Sequence, residues 1–195
     1  MVGSAAATIT FASTNQNKFK EVQAILALHG IAADFARAEL VEIQSDSLAE
    51  IAREKARSAY AIVKRPVIVE DDGLFIDALG GFPGQYSSYV FKTIGNAGVL
   101  KLLSGNDRRR EASFRSVIAF CGNDKIETFE ASVQGRISEN GAAAGGWGYD
   151  PIFIPEGAGG RTYAQLGSEK GDYSHRRKAL DSFAGWFLIN RRNTL

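Results

Sequence analysis

The chain contains little sulfur and little proline: its 195 residues include one cysteine, one methionine and four prolines. A single cysteine excludes an intrachain disulfide and a metal site built from several cysteines. This residue, Cys121, ends the apolar run Val117-Ile118-Ala119-Phe120-Cys121. We therefore expect a buried core thiol, not a reactive one.

The chain also lacks long apolar runs and any excess of charge. No apolar stretch approaches the roughly 18 residues of a membrane span, and the N-terminus has no charged start before an apolar run, as a signal peptide would. The 23 Lys and Arg residues balance 22 Asp and Glu residues, for a formal net charge of +1. Nucleic-acid binders usually show a basic excess. We expect a protein of the reducing cytoplasm, with neither a membrane nor a nucleic acid as partner.

Hydrophobic periodicity predicts an α/β protein. A chain of this length supports one substantial core, so we expect a single domain over residues 1–195. The second half contains two long strands at 112–121 and 126–137, which we expect to form a hairpin through Gly122, and a last amphipathic helix at 174–191. We expect a mixed central sheet with flanking helices, in two lobes around a substrate cleft. The first half alternates between strands and helices, namely a strand at 8–12, a helix at 16–28, a strand at 32–37, a helix starting at Ser45 or Ser47, and a strand at 67–69 that ends at Glu70.

Two places along the chain suggest chemistry. Ser13-Thr14-Asn15-Gln16-Asn17-Lys18 lies where a strand ends and a helix begins, and the unpaired N–H groups of a helix start attract phosphate. Lys18, one turn into the helix, adds a positive charge. The alternative is a set of ordinary helix-capping residues with a surface lysine.

The second place is the run of carboxylates Glu70-Asp71-Asp72, directly after a buried strand. Strand alternation points Glu70 and Asp72 to one side and Asp71 to the other. Clustered like charges cost free energy unless a cation compensates them, and carboxylate oxygens suit Mg²⁺. The alternative is an exposed acidic turn.

Five short motifs follow one another along the chain, and their series closely resembles the inosine triphosphate pyrophosphatase family of nucleotide-pool cleansing enzymes. The resemblance extends from about Thr8 to Trp186, and the segment 86–92 looks most like archaeal members. Each motif is weak alone, but five in this order are specific. The motifs are Ser13-Thr14-Asn15-x-x-Lys18, Glu70-Asp71-Asp72-Gly73-Leu74, Leu79-Gly80-Gly81-Phe82-Pro83-Gly84-x-Tyr86-Ser87, Gly148-Tyr149-Asp150-Pro151-Ile152-Phe153 and Ser174-His175-Arg176.

The resemblance implies a protein, usually a homodimer, that converts a nucleoside triphosphate and water to the monophosphate and pyrophosphate with Mg²⁺. It implies that Asp71 is the general base and a metal ligand, that Lys18 acts on the triphosphate, and that Glu42 is the second metal carboxylate, with Glu70 as the alternative. The other implied substrate contacts are Ser13, Thr14, Asn15, Gln16 and Asn17 at the triphosphate, and Asp72, Trp147, Gly148, Tyr149, Asp150, Lys170, His175 and Arg176 elsewhere, with an aromatic ring of this set stacking on the purine.

Several alternatives stay open. Trp147 and Tyr149 are alternatively core aromatics, and His175 and Arg176 are alternatively the polar start of the last helix. Asp72 departs from the family, where Ser or Thr is common; a third carboxylate either recruits more metal or repels the substrate phosphates, and we expect activity to survive. Two other functions compete: a related pyrophosphatase with another base preference, such as modified pyrimidines, and a nucleotide-binding or RNA-binding module without catalysis.

Overall fold

The computed structural model describes residues 7–105, 109–123, 125–142 and 145–194. Within these ranges the strands are β1 Ala7–Ala12, β2 Ile31–Ala36, β3 Val67–Ile76, β4 Pro83–Gly84, β5 Glu111–Gly122, β6 Lys125–Ile137 and β7 Phe153–Pro155. The helices are α1 Gln16–Leu28, α2 Leu48–Val63, α3 Ser87–Thr93, α4 Gly95–Leu102, α5 Tyr163–Leu166 and α6 His175–Thr194, with 3-10 helices at Asp77–Leu79 and Gly167–Tyr173.

The described strands form one mixed sheet in the order β2-β1-β3-β5-β6-β7, and β4 pairs with β3. β1 runs parallel to β2 and β3, because α1 and α2 carry the chain back between them. β4 and β7 run antiparallel to their neighbours. The predicted α/β class with a mixed sheet is therefore confirmed. The cleft between two lobes and the single domain stay predictions.

Local capping signals determine the first half. Asn15 caps α1 and Ser47, of the two serines considered, caps α2. Gly30, with φ 69°, follows His29, which is the C-terminal cap residue of α1. The predicted boundaries of α1, α6 and the β5–β6 pair agree with the structure to within three residues.

The prediction that the third strand ends at Glu70 is wrong, because β3 continues through all three carboxylates to Ile76. Its second half pairs with β4, with Leu74 opposite Gly84. A Cβ atom at Gly73 would lie 2.3 Å from the Gly84 carbonyl oxygen. The strands β3 and β4 approach so closely that only glycine fits at position 73. This close approach lets β3 continue past the charges.

Contacts divide the chain into two compact units. Unit 1 comprises the chain up to Asp71, Ser116–Ala131 and the chain from Arg176; unit 2 comprises Asp72–Arg115 and Ser132–His175. The buried core of unit 1 includes Phe11, Leu26, Ile68, Phe120, Leu180 and Phe183. The buried core of unit 2 includes Leu74, Val99, Phe114, Ile152, Phe153 and Tyr163. Cys121 is buried, as expected. Among the described residues, no helix is long and apolar enough to cross a bilayer.

Candidate active site

The segment between β1 and α1 satisfies part of its own hydrogen bonding. The Asn15 side chain accepts hydrogen bonds from the Asn17 and Lys18 amides at 3.0 and 3.2 Å. The Ser13 hydroxyl in turn accepts one from the Asn15 amide at 3.0 Å. Because the capping side chain already binds two helix-start amides, fewer of these groups remain for a phosphate than the sequence suggested.

The remaining donors of this turn are the Thr14 and Gln16 amides and the Lys18 ammonium. In the ranges that the structure covers, neither amide donates to a protein acceptor, and both residues are exposed. The Lys18 Nζ lies 3.6 Å from Glu70 Oε2, and its side chain is largely buried. An anion at this turn would therefore meet two open amides, while a buried carboxylate holds the lysine in place.

The three carboxylates of β3 have different partners, as strand alternation requires. Glu70 accepts hydrogen bonds from Arg176 of α6, whereas Asp71 accepts one from Lys55 of α2 at 2.7 Å. Asp72 lies in unit 2, near His175. Asp71 thus takes its partner from a different helix than Glu70 does, which agrees with the predicted alternation.

Glu70 is the centre of a buried ion-pair network in unit 1. Its two oxygens accept from the Arg176 Nε at 2.9 and 2.8 Å, and one of them also accepts from the Ser116 hydroxyl at 2.7 Å. Arg176 donates to Glu21 as well. Both Glu70 oxygens are therefore engaged, which favours Glu42 as the second metal carboxylate.

The same contacts bear on the expected role of Arg176. Its side chain is 1% exposed and its guanidinium already binds two carboxylates. Direct donation from Arg176 to a substrate base stays a prediction. Its observed contacts, with Glu21 and Glu70, hold the Glu70 carboxylate in place inside the protein.

A lysine absent from the motif comparison joins the two candidate metal carboxylates. The Lys55 Nζ lies 2.7 Å from Asp71 Oδ1 and 2.7 Å from Glu42 Oε1. Lys55 is buried on the otherwise apolar face of α2. Because lysine is rarely buried unless it is paired, a lysine at an apolar position of a helical pattern is the signal that could have identified it.

The donor set of Glu42 and Asp71 fits a magnesium ion that arrives with phosphate. Since both carboxylate oxygens contact one ammonium nitrogen, they lie no farther apart than twice 2.7 Å. Mg²⁺ usually takes one or two carboxylates and completes its shell with water and substrate phosphates. The described residues bring no three His, Cys, Asp or Glu side chains together as a complete metal site.

In unit 2, three of the predicted substrate residues come together, because two of them bind the carboxylate of the third. Asp150 is buried and accepts hydrogen bonds from the Lys170 ammonium at 2.8 Å and from the Trp147 amide at 3.1 Å. The Lys170 Nζ also lies 5.4 Å from the centre of the Trp147 ring. A Cβ atom at Gly146 would lie 2.5 Å from the Asp150 Cβ, so glycine is required beside this cluster.

Tyr149 packs as a core aromatic, the alternative considered for it. Its hydroxyl donates to the Ser87 carbonyl at 2.8 Å, and its ring meets the Phe91 ring edge-on at 5.5 Å. Burial raises the pKa of the Tyr149 hydroxyl above its ordinary value. In this structure the ring of Tyr149 is therefore covered, and the half-buried Trp147 is the ring with surface left for stacking.

His175 is also buried, and Asp72 faces it. The His175 ring stacks on Phe114 with centroids 4.4 Å apart and planes 6° apart. Its Nε2 lies 3.8 Å from Asp72 Oδ2. The carboxylate that departs from the family pattern thus has a protein partner in its own unit.

Residues 9–186 match the Ham1 family model. The chain is 50% identical to the dITP/XTP pyrophosphatase of Methanopyrus kandleri, covering 93% of this chain and 97% of the relative. It is 47% identical to the dITP/XTP pyrophosphatase of Hyperthermus butylicus, over 93% of this chain and 95% of that protein.

A solved structure is similar over the same length. The HAM1 protein from Coxiella burnetii superimposes with a TM-score of 0.81 at 30% identity, covering 94% of this chain and 99% of that one. Family model, relatives and structure agree across nearly the whole chain. The chain belongs to the Ham1 family.

Proposed function

We propose that this chain is a nucleoside triphosphate pyrophosphatase that converts ITP, dITP and XTP to the monophosphate and pyrophosphate, and so removes non-standard purines from the nucleotide pool. Relatives named dITP/XTP pyrophosphatase align with more than nine tenths of the chain. The observation that carries the proposal is the convergence of Asp71 and Glu42 on Lys55 within unit 1.

Asp71 is the proposed general base. Hydrolysis between the α and β phosphates needs an aligned water and neutralised charge more than it needs covalent help. The Asp71 carboxylate is held by Lys55 through Oδ1, and we assign to it the proton of the attacking water.

Mg²⁺ is the proposed cofactor, held by Glu42 and Asp71. Bound there with the substrate, it would neutralise phosphate charge and lower the pKa of a coordinated water. The protein's own contribution at this point is the pair of carboxylates and the nearby ammonium of Lys55.

The turn at the start of α1 is the proposed contact for the triphosphate. The exposed Thr14 and Gln16 amides offer N–H donors at a helix N-terminus, and Lys18 adds a positive charge. The side chains of Ser13 and Asn15 shape the turn, and the Asn17 amide donates to the Asn15 side chain. Donors fixed in advance toward the departing pyrophosphate stabilise its developing charge without a reorganisation cost.

The residues around Asp150 are the proposed contacts for the base. Hypoxanthine and xanthine carry an acceptor oxygen at position 6 and a proton on N1, whereas adenine reverses both polarities. Lys170 supplies a donor and Trp147 supplies a ring for stacking, and we assign a second donor to His175, which also lies in unit 2. Each donor left unpaired against adenine costs about 1–3 kcal/mol, so two mismatches reject ATP by about 10²–10⁴ in kcat/KM. Guanine shares both features, so its 2-amino group is the feature that must be excluded.

The decisive experiment is separation of the products by ion exchange after incubation of ITP, XTP, GTP and ATP with and without Mg²⁺. Monophosphate and pyrophosphate from ITP and XTP support the proposal, whereas diphosphate and orthophosphate contradict the assigned bond. Asp71→Asn keeps the shape but removes the charge, so turnover should fall by about 10²–10⁴, the range for a lost general base. A fully active Asp71→Asn enzyme would refute the assigned base.

The proposed working form is a homodimer. Its proposed location is the cytoplasm, since the nucleotide pool is cytoplasmic. Large apolar side chains remain exposed along one stretch of unit 2, and extended apolar patches usually mark an interface. Light scattering at several protein concentrations tests this assembly, and a monomer at working concentration contradicts it. The exposed residues of the stretch are Phe82, Tyr86, Tyr89, Phe91, Ile94 and Leu102.

A further inference from the structure

The loop that carries Trp147 is tied to the α3–α4 region of unit 2 by two side chains. The Tyr149 hydroxyl donates to the Ser87 carbonyl at 2.8 Å. The Asn96 side chain, in the first turn of α4, donates from Nδ2 to the Gly148 carbonyl at 3.0 Å. Gly148 has a positive φ of 61°, a conformation that few other residues adopt readily.

The other half of the Asn96 amide is unusual. Its Oδ1 is buried and accepts no hydrogen bond within the ranges described. A hydrogen bond that is made contributes less to stability than a buried acceptor costs when it is left unmade. Asn96 therefore contributes little to folding, or opposes it. An unsatisfied buried group in a native structure calls for an explanation, and a functional role is one such explanation.

We propose that Asn96 is a positioning residue for base recognition, and that it acts by fixing the backbone on one side of Trp147. Asp150 accepts a hydrogen bond from the Trp147 amide at 3.1 Å, while Asn96 holds the carbonyl of the next residue, Gly148. The first contact restrains the peptide unit before the tryptophan, and the second restrains the Gly148–Tyr149 peptide unit, one residue beyond the unit that follows it. This inference rests on the proposed function only for the statement that Trp147 meets the base.

Two substitutions separate the contributions of the Asn96 amide. Asn96→Leu has a similar shape but removes donor and acceptor, whereas Asn96→Asp keeps an acceptor and loses the donor that holds Gly148. Ser104→Ala is the matched control, because the Ser104 hydroxyl donates to the Lys101 carbonyl at the end of the same helix and not to the loop. All three are compared in a Trp186→Phe background with excitation selective for tryptophan, because the chain has two tryptophans and Trp147 is then the only one.

The expected result combines a stability readout with two functional ones. Asn96→Leu should unfold at the parent temperature or above it. Both Asn96 variants should show stronger acrylamide quenching of Trp147 and an ITP-to-ATP ratio of kcat/KM lowered about tenfold, within the up to 10²-fold that a small misplacement costs. Ser104→Ala should match the parent in all three measurements.

Unchanged quenching in both Asn96 variants overturns the inference. So does a lower unfolding temperature of Asn96→Leu with quenching and base preference like the parent, because Asn96 would then be merely structural. Trp147→Ala tests the underlying assignment separately. If it keeps full discrimination, the proposed base contact of Trp147 fails, while the quenching measurement still decides whether Asn96 fixes the loop.

Discussion

Arg176→Ala tests the buried ion-pair network of unit 1. The Arg176 Nε lies 2.9 and 2.8 Å from the two Glu70 oxygens, and the Glu70 side chain is 0% exposed. Alanine would leave this carboxylate buried beside the Ser116 hydroxyl at 2.7 Å and the Lys18 ammonium at 3.6 Å. The variant therefore removes the principal countercharge of a group that has no access to water.

Removing one partner of a buried ion pair destabilises a protein by about 3–5 kcal/mol. The hydroxyl and ammonium that remain near Glu70 favour the lower end, about 3 kcal/mol. For proteins of this size each kcal/mol lowers Tm by about 2–4 °C, so we expect a fall of about 6–12 °C. Ordinary domains have about 5–15 kcal/mol of stability, so the variant should stay folded at room temperature.

Thermal unfolding followed by circular dichroism measures the effect. Arg177→Ala is the control, because Arg177 is the next residue of α6, is partly exposed, and lies 3.8 Å from Asp181. Such surface pairs contribute about 0–1 kcal/mol. Glu70→Gln in the Arg176→Ala background removes the stranded charge and should restore part of the lost stability. An unchanged Tm for Arg176→Ala would refute the network, and lost base discrimination at that unchanged Tm would assign Arg176 to the substrate.

Three further changes test the site and one exposed ion pair. Lys55→Met should lower the Mg²⁺ concentration needed for half-maximal activity, because the ammonium that competes at Asp71 is gone; a higher requirement in a Mg²⁺ titration would contradict this. Asp72→Ser should keep pyrophosphatase activity, and lost metal use would make Asp72 the second ligand. The hydrogen bond from Arg161 lowers the pKa of Glu169, so the stability from this exposed pair is present above the unfolded-state pKa of Glu169 and is lost as pH falls through the folded-state value. The Tm difference between the parent and Glu169→Gln should therefore vanish in acid, and a difference independent of pH would exclude the pair as its cause.

The elements that the sequence predicted well carry their own signals. Asn15 and Ser47 are side chains that cap the helices they precede, and the inner positions of α6 follow a helical period. Such signals lie within a few residues of the structure they determine. The short helices α3 and α5 have weaker patterns and were not predicted, since the packing of unit 2 contributes more to them than their local sequence does.

The end of β3 shows why a local signal can mislead. Three consecutive carboxylates suggested that the strand stops, because charge is costly in a sheet. The strand continues because Leu74 pairs with Gly84, ten residues farther along the chain, and Gly73 permits the close approach. A contact of this kind depends on two glycines meeting in space, which spacing along the chain does not reveal.

For the site, motif order suggested candidate residues but did not indicate how they pair. Asp150, Lys170 and Trp147 do come together. Tyr149, next to Asp150 in the same motif, turns into the core, where its hydroxyl binds a backbone carbonyl. Adjacent residues thus have opposite environments, and a sequence motif does not distinguish between them.

The pairing also changes the argument that led to a metal. From the sequence, clustered carboxylates on β3 called for a cation to offset their repulsion. In unit 1 the protein supplies such cations itself, because Arg176 and Lys18 contact Glu70 and Lys55 contacts Asp71. Repulsion within the acidic run is therefore no longer evidence for Mg²⁺. The remaining support for Mg²⁺ is more specific, because Glu42, from a separate loop, converges with Asp71 on a single position of positive charge. The carboxylates of a solvated acidic turn would not converge in this way.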